Sequence, residues 1–249
     1  MTDRASFLEN LSPAFRRIGG TVEELLLREY GSVLVARGGA VPPPTIIFTN
    51  DEEVAGFQRS VASEKRSIGG CELKLQSAAM NALVAACDRA SSVGLMISPR
   101  GPDSAARSYA DTVALWASRV EPALEHWLVL GKVSSETAAH IRSLEPFDQV
   151  PDVLALESRG IWFAKDLSKS IIYSVAPPGA SQHLSMLAVD IEQFNDPNVR
   201  QIMYKHGWFQ TVTSDLPHFT FLGMREDELS RVGLKMSENA GRPCWVPDI

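Results

Sequence analysis

Two pairs of an imidazole and a carboxylate, His183 with Asp190 and Asp215 with His218, stand at short spacings inside one stretch of 36 residues. A catalytic zinc takes three protein ligands of the His, Asp, Glu or Cys type at ~2.0–2.2 Å for N and O, and leaves a fourth position for water. His183, Asp190 and His218 can supply the three. Asp215 is then the further carboxylate beside the bound water, placed to accept and return protons. The donor set is nitrogen and oxygen, which favours one zinc per chain, although geometry alone does not exclude another divalent ion. Asp190 stands in the apolar run Leu187-Ala188-Val189-Asp190-Ile191. An unpartnered carboxylate is costly there, and a metal removes that cost.

These residues need elements that bring them together. An offset of seven puts His183 and Asp190 on opposite sides of an unbroken strand, so a turn or bulge near Ser185-Met186 is required. Ile171–Val175 reads as a strand leading into this segment, and Trp208–Val212 and His218–Leu222 read as two more. On the last, His218, Thr220 and Leu222 share a face while Phe219 and Phe221 point to the core. Between them, Asn195-Asp196-Pro197 opens a helix to about His206.

The pattern Ser181-x-His183-x6-Asp190, preceded by Pro178-Gly179 and followed by Asp215-x-x-His218-Phe219, resembles the zinc D-alanyl-D-alanine carboxypeptidases and dipeptidases, which include the vancomycin-resistance D,D-peptidases. Their motif reads Ser-x-His-x-x-Gly-x-Ala-x-Asp, then Glu-x-Trp-His. Ser181, His183, Ala188 and Asp190 match the first part, and His218 the last residue of the second. Upstream, Ser104 to Tyr109 looks like the family's Tyr-Arg-Ser-Tyr turn, whose arginine, at the Arg107 position, faces the metal. The likeness covers roughly residues 72 to 223. It implies hydrolysis next to D-alanine in peptidoglycan stem peptides or precursors, with Ser181 and Arg107 binding substrate, Arg107 stabilising the oxyanion and Asp215 moving the proton. It also implies a D,D-peptidase/hedgehog-like fold. Three departures stand out: Met186 replaces the family's Gly, Pro217 its Trp, and Asp215 its Glu, one methylene shorter. A deficit of ~1.5 Å matters where ~1 Å of misplacement costs ~100-fold in rate.

The chain has 249 residues, 45% hydrophobic and 22% charged, enough for one large domain or one domain with an extension. A net charge of −6 without any Lys/Arg run argues against a nucleic-acid partner. Cys71, Cys87 and Cys244 are an odd number without metal-type spacing, so at most one bridge can form. No apolar run reaches the ~18 residues of a membrane span. The N-terminus shows no basic-then-apolar signal pattern. Two compartments stay open, periplasmic or otherwise extracytoplasmic if a signal has been removed, and cytoplasmic if the substrate is met there. Oligomeric state is not legible.

The expected fold is α+β, a small, mainly antiparallel sheet carrying the metal site and flanked by helices. Residues 1–70 are expected as an N-terminal extension packed on a catalytic domain of residues 71–249. Within 1–30 the periodicity of Phe7, Leu8, Leu11, Phe15 and Ile18 predicts a helix, and Thr21–Glu24 predicts a capping box for a second. Strands are expected at Ser32–Ala36, Thr45–Phe48 and Leu95–Ser98. Helices are expected from Asn50-Asp51 through Phe57, over Leu73–Ala90, over Asp111–Leu130, from Ser134 to about Leu144, and as a short polar helix from Arg225.

Each residue also has a plainer reading. His126, His140 and His206 read as surface or core histidines, and Tyr109, Trp208 and Phe209 as core. Asp215 could be a turn residue before Pro217, and Arg107 could pair with Asp103 or Asp111 on the surface, a contact worth little. Two functional alternatives to the carboxypeptidase remain. One is a peptidoglycan endopeptidase using the same site. The other is a catalytically weak metal- or peptide-binding module.

Overall fold

The computed structural model describes residues 6–239 and 241–249. It combines seven α-helices with three small antiparallel sheets among these residues, an α+β architecture. In chain order the helices are α1 (Gly20–Tyr30), α2 (Asp51–Ser60), α3 (Ser77–Ser92), α4 (Tyr109–Val129), α5 (Ser135–Ser143), α6 (Gln149–Glu157) and α7 (Pro197–Lys205). The strands are β1 (Ser63–Ile68), β2 (Cys71–Gln76), β3 (Ala188–Asp190), β4 (Trp208–Phe209), β5 (His218–Phe221), β6 (Leu234–Asn239) and β7 (Arg242–Pro247). β1 pairs with β2 and β6 with β7, while the central sheet has the order β3-β5-β4. Phe7, Leu26 and Ile47 belong to the same apolar core as Leu83, Trp116, Val189 and Phe219. The cysteines are free, and no described helix is long and apolar enough to cross a membrane.

Helix starts follow local chemistry. Asn50, Ser108, Ser134 and Asp196 each accept a first-turn backbone N–H at the heads of α2, α4, α5 and α7. The first expected helix is corrected. Only a 3-10 turn, Phe7–Asn10, forms, because Pro13 lacks an N–H and its ring clashes with a preceding carbonyl. The expected residues 1–5 lie outside the described part. The Thr21 capping box is replaced by the buried Glu23 carboxylate, which accepts the N–H groups of Ile18 and Gly19.

Four expected strands are also corrected. Ser32–Ala36 falls in a 3-10 helix, Gly31–Val35, and Ile171–Val175 in a 3-10 turn, Ile171–Tyr173. Thr45–Phe48 and Leu95–Ser98 are irregular. Short apolar runs report burial without reporting backbone form. Leu73–Gln76, expected as helix, belongs to β2, joined to β1 through Gly69-Gly70. The β6–β7 hairpin and α6 are further elements that the patterning did not indicate.

The required turn before Asp190 is present. Gln182–Ser185 forms a 3-10 turn that Met186 closes in the left-handed region, φ 57° and ψ 29°, so Met186 takes a backbone form that favours glycine. Its carbonyl accepts the Gln76 N–H at 3.0 Å. Its side chain is fully buried with Phe48, Phe57, Tyr109 and Leu184. Upstream, Gly179 (φ 77°) lies so close to Phe48 that a Cβ would sit 1.8 Å from the Phe48 carbonyl oxygen.

Two effects oppose each other at Met186. Left-handed backbone costs a non-glycine residue roughly 1–2 kcal/mol, whereas emptying a buried methionine site costs about 2–5 kcal/mol. Met186→Gly is therefore expected to destabilise the protein by roughly 1–3 kcal/mol in urea unfolding. A gain in stability would show that backbone strain outweighs packing here.

Candidate metal centre

Strand register assembles the centre. Asp190, the last residue of β3, is the direct cross-strand partner of His218, the first of β5. Such partners hold their Cβ atoms ~4.5–5.5 Å apart. A backbone bond from His218 N–H to the Asp215 carbonyl, 3.1 Å, makes the tight turn that delivers His218 into β5. The 3-10 turn then swings His183 across to both.

Three donor atoms face one another. His183 Nε2 lies 3.2 Å from His218 Nδ1, and Asp190 Oδ1 lies 3.4 Å from the former and 3.3 Å from the latter. The outer nitrogen of each ring is anchored. His183 Nδ1 lies 2.7 Å from the Ala105 carbonyl, and His218 Nε2 lies 2.9 Å from Gln182 Oε1. The Gln182 amide is itself oriented, because its Nε2 donates to the Tyr30 carbonyl at 2.8 Å. Both anchors are acceptors, so both outer nitrogens carry the proton and both inner nitrogens present lone pairs. Asp190 Oδ1 is buried without a hydrogen-bond partner among the described residues.

This arrangement fits a cation. Ligands at ~2.0–2.1 Å around a tetrahedral zinc are separated by about 3.3 Å, the spacing of these three atoms. His183, Asp190 and His218 thus form a group able to hold one metal ion. Burial lowers the pKa of His183 against the opposing pull of Asp190, which keeps the ring neutral and able to ligate. Burial alone would raise Asp190, but the attraction of positive charge placed at His183 and His218 outweighs it and holds the carboxyl well below its ordinary range, so it stays ionised.

Arg107 stands at this centre. Its Nη2 donates to Asp190 Oδ2 at 3.0 Å and its Nε to the Asp103 carbonyl at 3.2 Å. The surface pairing with an Asp103 or Asp111 carboxylate is replaced by a pairing with the Asp190 carboxylate. A cleft of about 260 Å³ opens over the centre, lined by Arg107, Ser181, His183, Asp215 and His218 among others. Asp215 is exposed on its rim and Ser181 half-buried on its wall. Trp208 and Phe209 are buried core residues, and His140 bonds Asp152 at the surface.

The residues behind the ligands escaped the sequence reading. The Oε1 of Gln182 also accepts from Thr220 Oγ1, Thr220 bonds Thr211 at 2.7 Å, and Tyr30 brings α1 into this network. A faint signal existed in the sequence: Gln182 adjoins His183, and Thr220 shares the His218 face of its strand.

No protein-family model matches this chain, and no curated protein matches it. Among solved structures it is similar to a point mutant of the vancomycin resistance D,D-pentapeptidase VanY from the VanB-type resistance cassette, in complex with Zn(II). Identity is 17% over 65% of this chain and 79% of that one, with a TM-score of 0.35. At that similarity the chemistry rests on the geometry of the centre itself.

Elemental analysis is expected to find one zinc per zinc-replete chain and none in His183→Ala. Chelator competition should show Gln182→Ala weakening zinc roughly 10–100-fold, as removal of a group orienting a ligand does. Because burial lowers the His183 pKa, proton competition there begins below the ordinary histidine value of ~6.5. Affinity should fall as pH drops below that value and not between pH 7 and 8.

Proposed function

We propose that this chain is a zinc-dependent D,D-carboxypeptidase that hydrolyses the peptide bond at D-alanine in peptidoglycan stem peptides or precursors. The observation that carries the zinc hydrolase reading is the buried, unbonded Asp190 Oδ1 facing two imidazole lone pairs at the floor of a cleft. The motif resemblance around Ser181–Asp190 and Asp215–His218 supports the substrate class. A cleft of about 260 Å³ lies just below the ~300 Å³ lower end of small-molecule sites.

His183, Asp190 and His218 would hold the ion. Bound there, zinc supplies Lewis acidity toward a carbonyl and brings the pKa of a bound water toward ~7. Asp215, on the cleft rim, takes the proton of the attacking water and returns it to the leaving amine. Arg107 has five N–H donors. Two of them are engaged by Asp190 and Asp103, and the others serve the developing oxyanion. Ser181 hydrogen-bonds the substrate. The pairing with Asp190 also holds Arg107 rigid, so little reorganisation is needed when charge develops.

The exposed, short Asp215 favours one second reading, a metal- and peptide-binding module with weak turnover. Release of D-alanine from an N-acyl-D-alanyl-D-alanine peptide decides between them. Zinc-loaded protein is expected to release it, a chelator to stop the release and added zinc to restore it. Asp215→Ala should lower kcat by roughly 10²–10⁴, the range of a general acid–base group. No release by metal-replete wild type, together with release by Asp215→Glu, would establish the binding module instead.

A further inference from the structure

Two guanidinium groups line the cleft, and only one is neutralised by the protein. Arg107 is paired with Asp190 Oδ2 at 3.0 Å. Arg119, half-buried in the middle of α4, bonds only hydroxyls, donating from Nε to Ser174 Oγ at 3.1 Å and from Nη1 to Ser118 Oγ at 2.8 Å. It makes no ion pair among the described residues. The other acids on the cleft wall, Asp103 and Asp215, are exposed and neither pairs with it. The cleft wall it shares is mixed, with Leu115 one helical turn before it and Ile172, Val175 and Val212 among hydroxyl and amide side chains.

A half-buried cation whose bonds go only to uncharged hydroxyls is best satisfied by an anion that arrives with the ligand. The guanidinium fork suits a carboxylate in particular, because planar paired donors match its two oxygens. The bond to Ser174 fixes the fork against the loop that follows the Ile171–Tyr173 turn, so little side-chain freedom is left to lose on binding.

We infer that Arg119 is a specificity-determining residue that binds the terminal carboxylate of the peptide substrate and so makes the site prefer chain ends. This rests on the carboxypeptidase reading for the identity of the substrate, but not for the presence of a carboxylate site. Arg107 is committed to Asp190 and, through its remaining donors, to the oxyanion, and Asp215 is an acid, which leaves Arg119 as the second cation on the cleft wall to recognise the end of the chain. An endopeptidase has no terminal carboxylate to place at this position.

Binding separates the inference from the function. Zinc-loaded full-length protein is titrated calorimetrically with N-acyl-D-alanyl-D-alanine, its C-terminal amide, and an amidated peptide carrying a glutamate side chain. Wild type should prefer the free acid over both amides by roughly 10–100-fold, the span of a hydrogen-bonded charge. Arg119→Ala should lose that preference without changing amide binding, Arg119→Lys should keep part of it, and Ser174→Ala should keep most of it. Where turnover is measurable, Arg119→Ala should raise KM for the acid while kcat stays within a few-fold. Equal binding of acid and amide by wild type, no binding of either, recognition that follows the glutamate side chain, or a Ser174→Ala variant as impaired as Arg119→Ala would each overturn the inference. If wild type prefers the acid but releases no D-alanine, the hydrolase reading fails and the carboxylate site stands.

Discussion

A carboxylate oxygen held away from water beside two lone pairs is an unstable arrangement unless something positive joins it, and the centre of this protein is built around that requirement. Asp190 has two oxygens with different fates. Oδ2 is answered by Arg107 at 3.0 Å, whereas Oδ1 has no hydrogen-bond partner among the described residues and faces His183 Nε2 and His218 Nδ1. A buried acceptor atom left without a partner costs roughly 1–3 kcal/mol. A bound cation offsets that cost and the lone-pair repulsion together, so metal affinity and local stability are coupled at this point.

The second layer explains why the rings do not turn away. Gln182 is a buried hub that accepts from His218 and Thr220 and donates to the Tyr30 carbonyl. Because its amide orientation is set by a backbone carbonyl from α1, the proton on His218 is confined to Nε2. Buried polar networks of this kind stabilise only when each member is satisfied. Here satisfaction extends from the N-terminal helix to the central sheet, and Tyr30 also donates its hydroxyl to the Ile172 carbonyl beneath the cleft wall.

Met186 shows how packing can hold a backbone form that local preference opposes. Its left-handed conformation ends the turn carrying His183, and the apolar cluster with Phe48, Phe57 and Tyr109 keeps it there. The same cluster ties α2 and α4 to the turn. The helix that carries Arg119 is therefore positioned by the residues that position His183. The cleft thus inherits Arg119 on its wall and the His183–Asp190–His218 cluster from one packing arrangement.

The cluster of His183, Asp190 and His218, a group able to hold one metal ion, was legible in the sequence because metal chemistry restricts residue types, and because Asp190 in an apolar run and the seven-residue offset from His183 demanded both a charge partner and a turn. Helix starts at Asn50, Ser108, Ser134 and Asp196 were legible or nearly so, since a cap is a local hydrogen bond. The segments Ser32–Ala36, Thr45–Phe48 and Ile171–Val175, expected as strands, are not strands, for an apolar run encodes burial while pairing depends on a distant partner. Tertiary structure alone decided the Asp190–His218 register, the Arg107–Asp190 pair, the Gln182 hub and the solitary charge of Arg119. Each of these joins side chains or strands far apart in the chain, and only packing sets such distances.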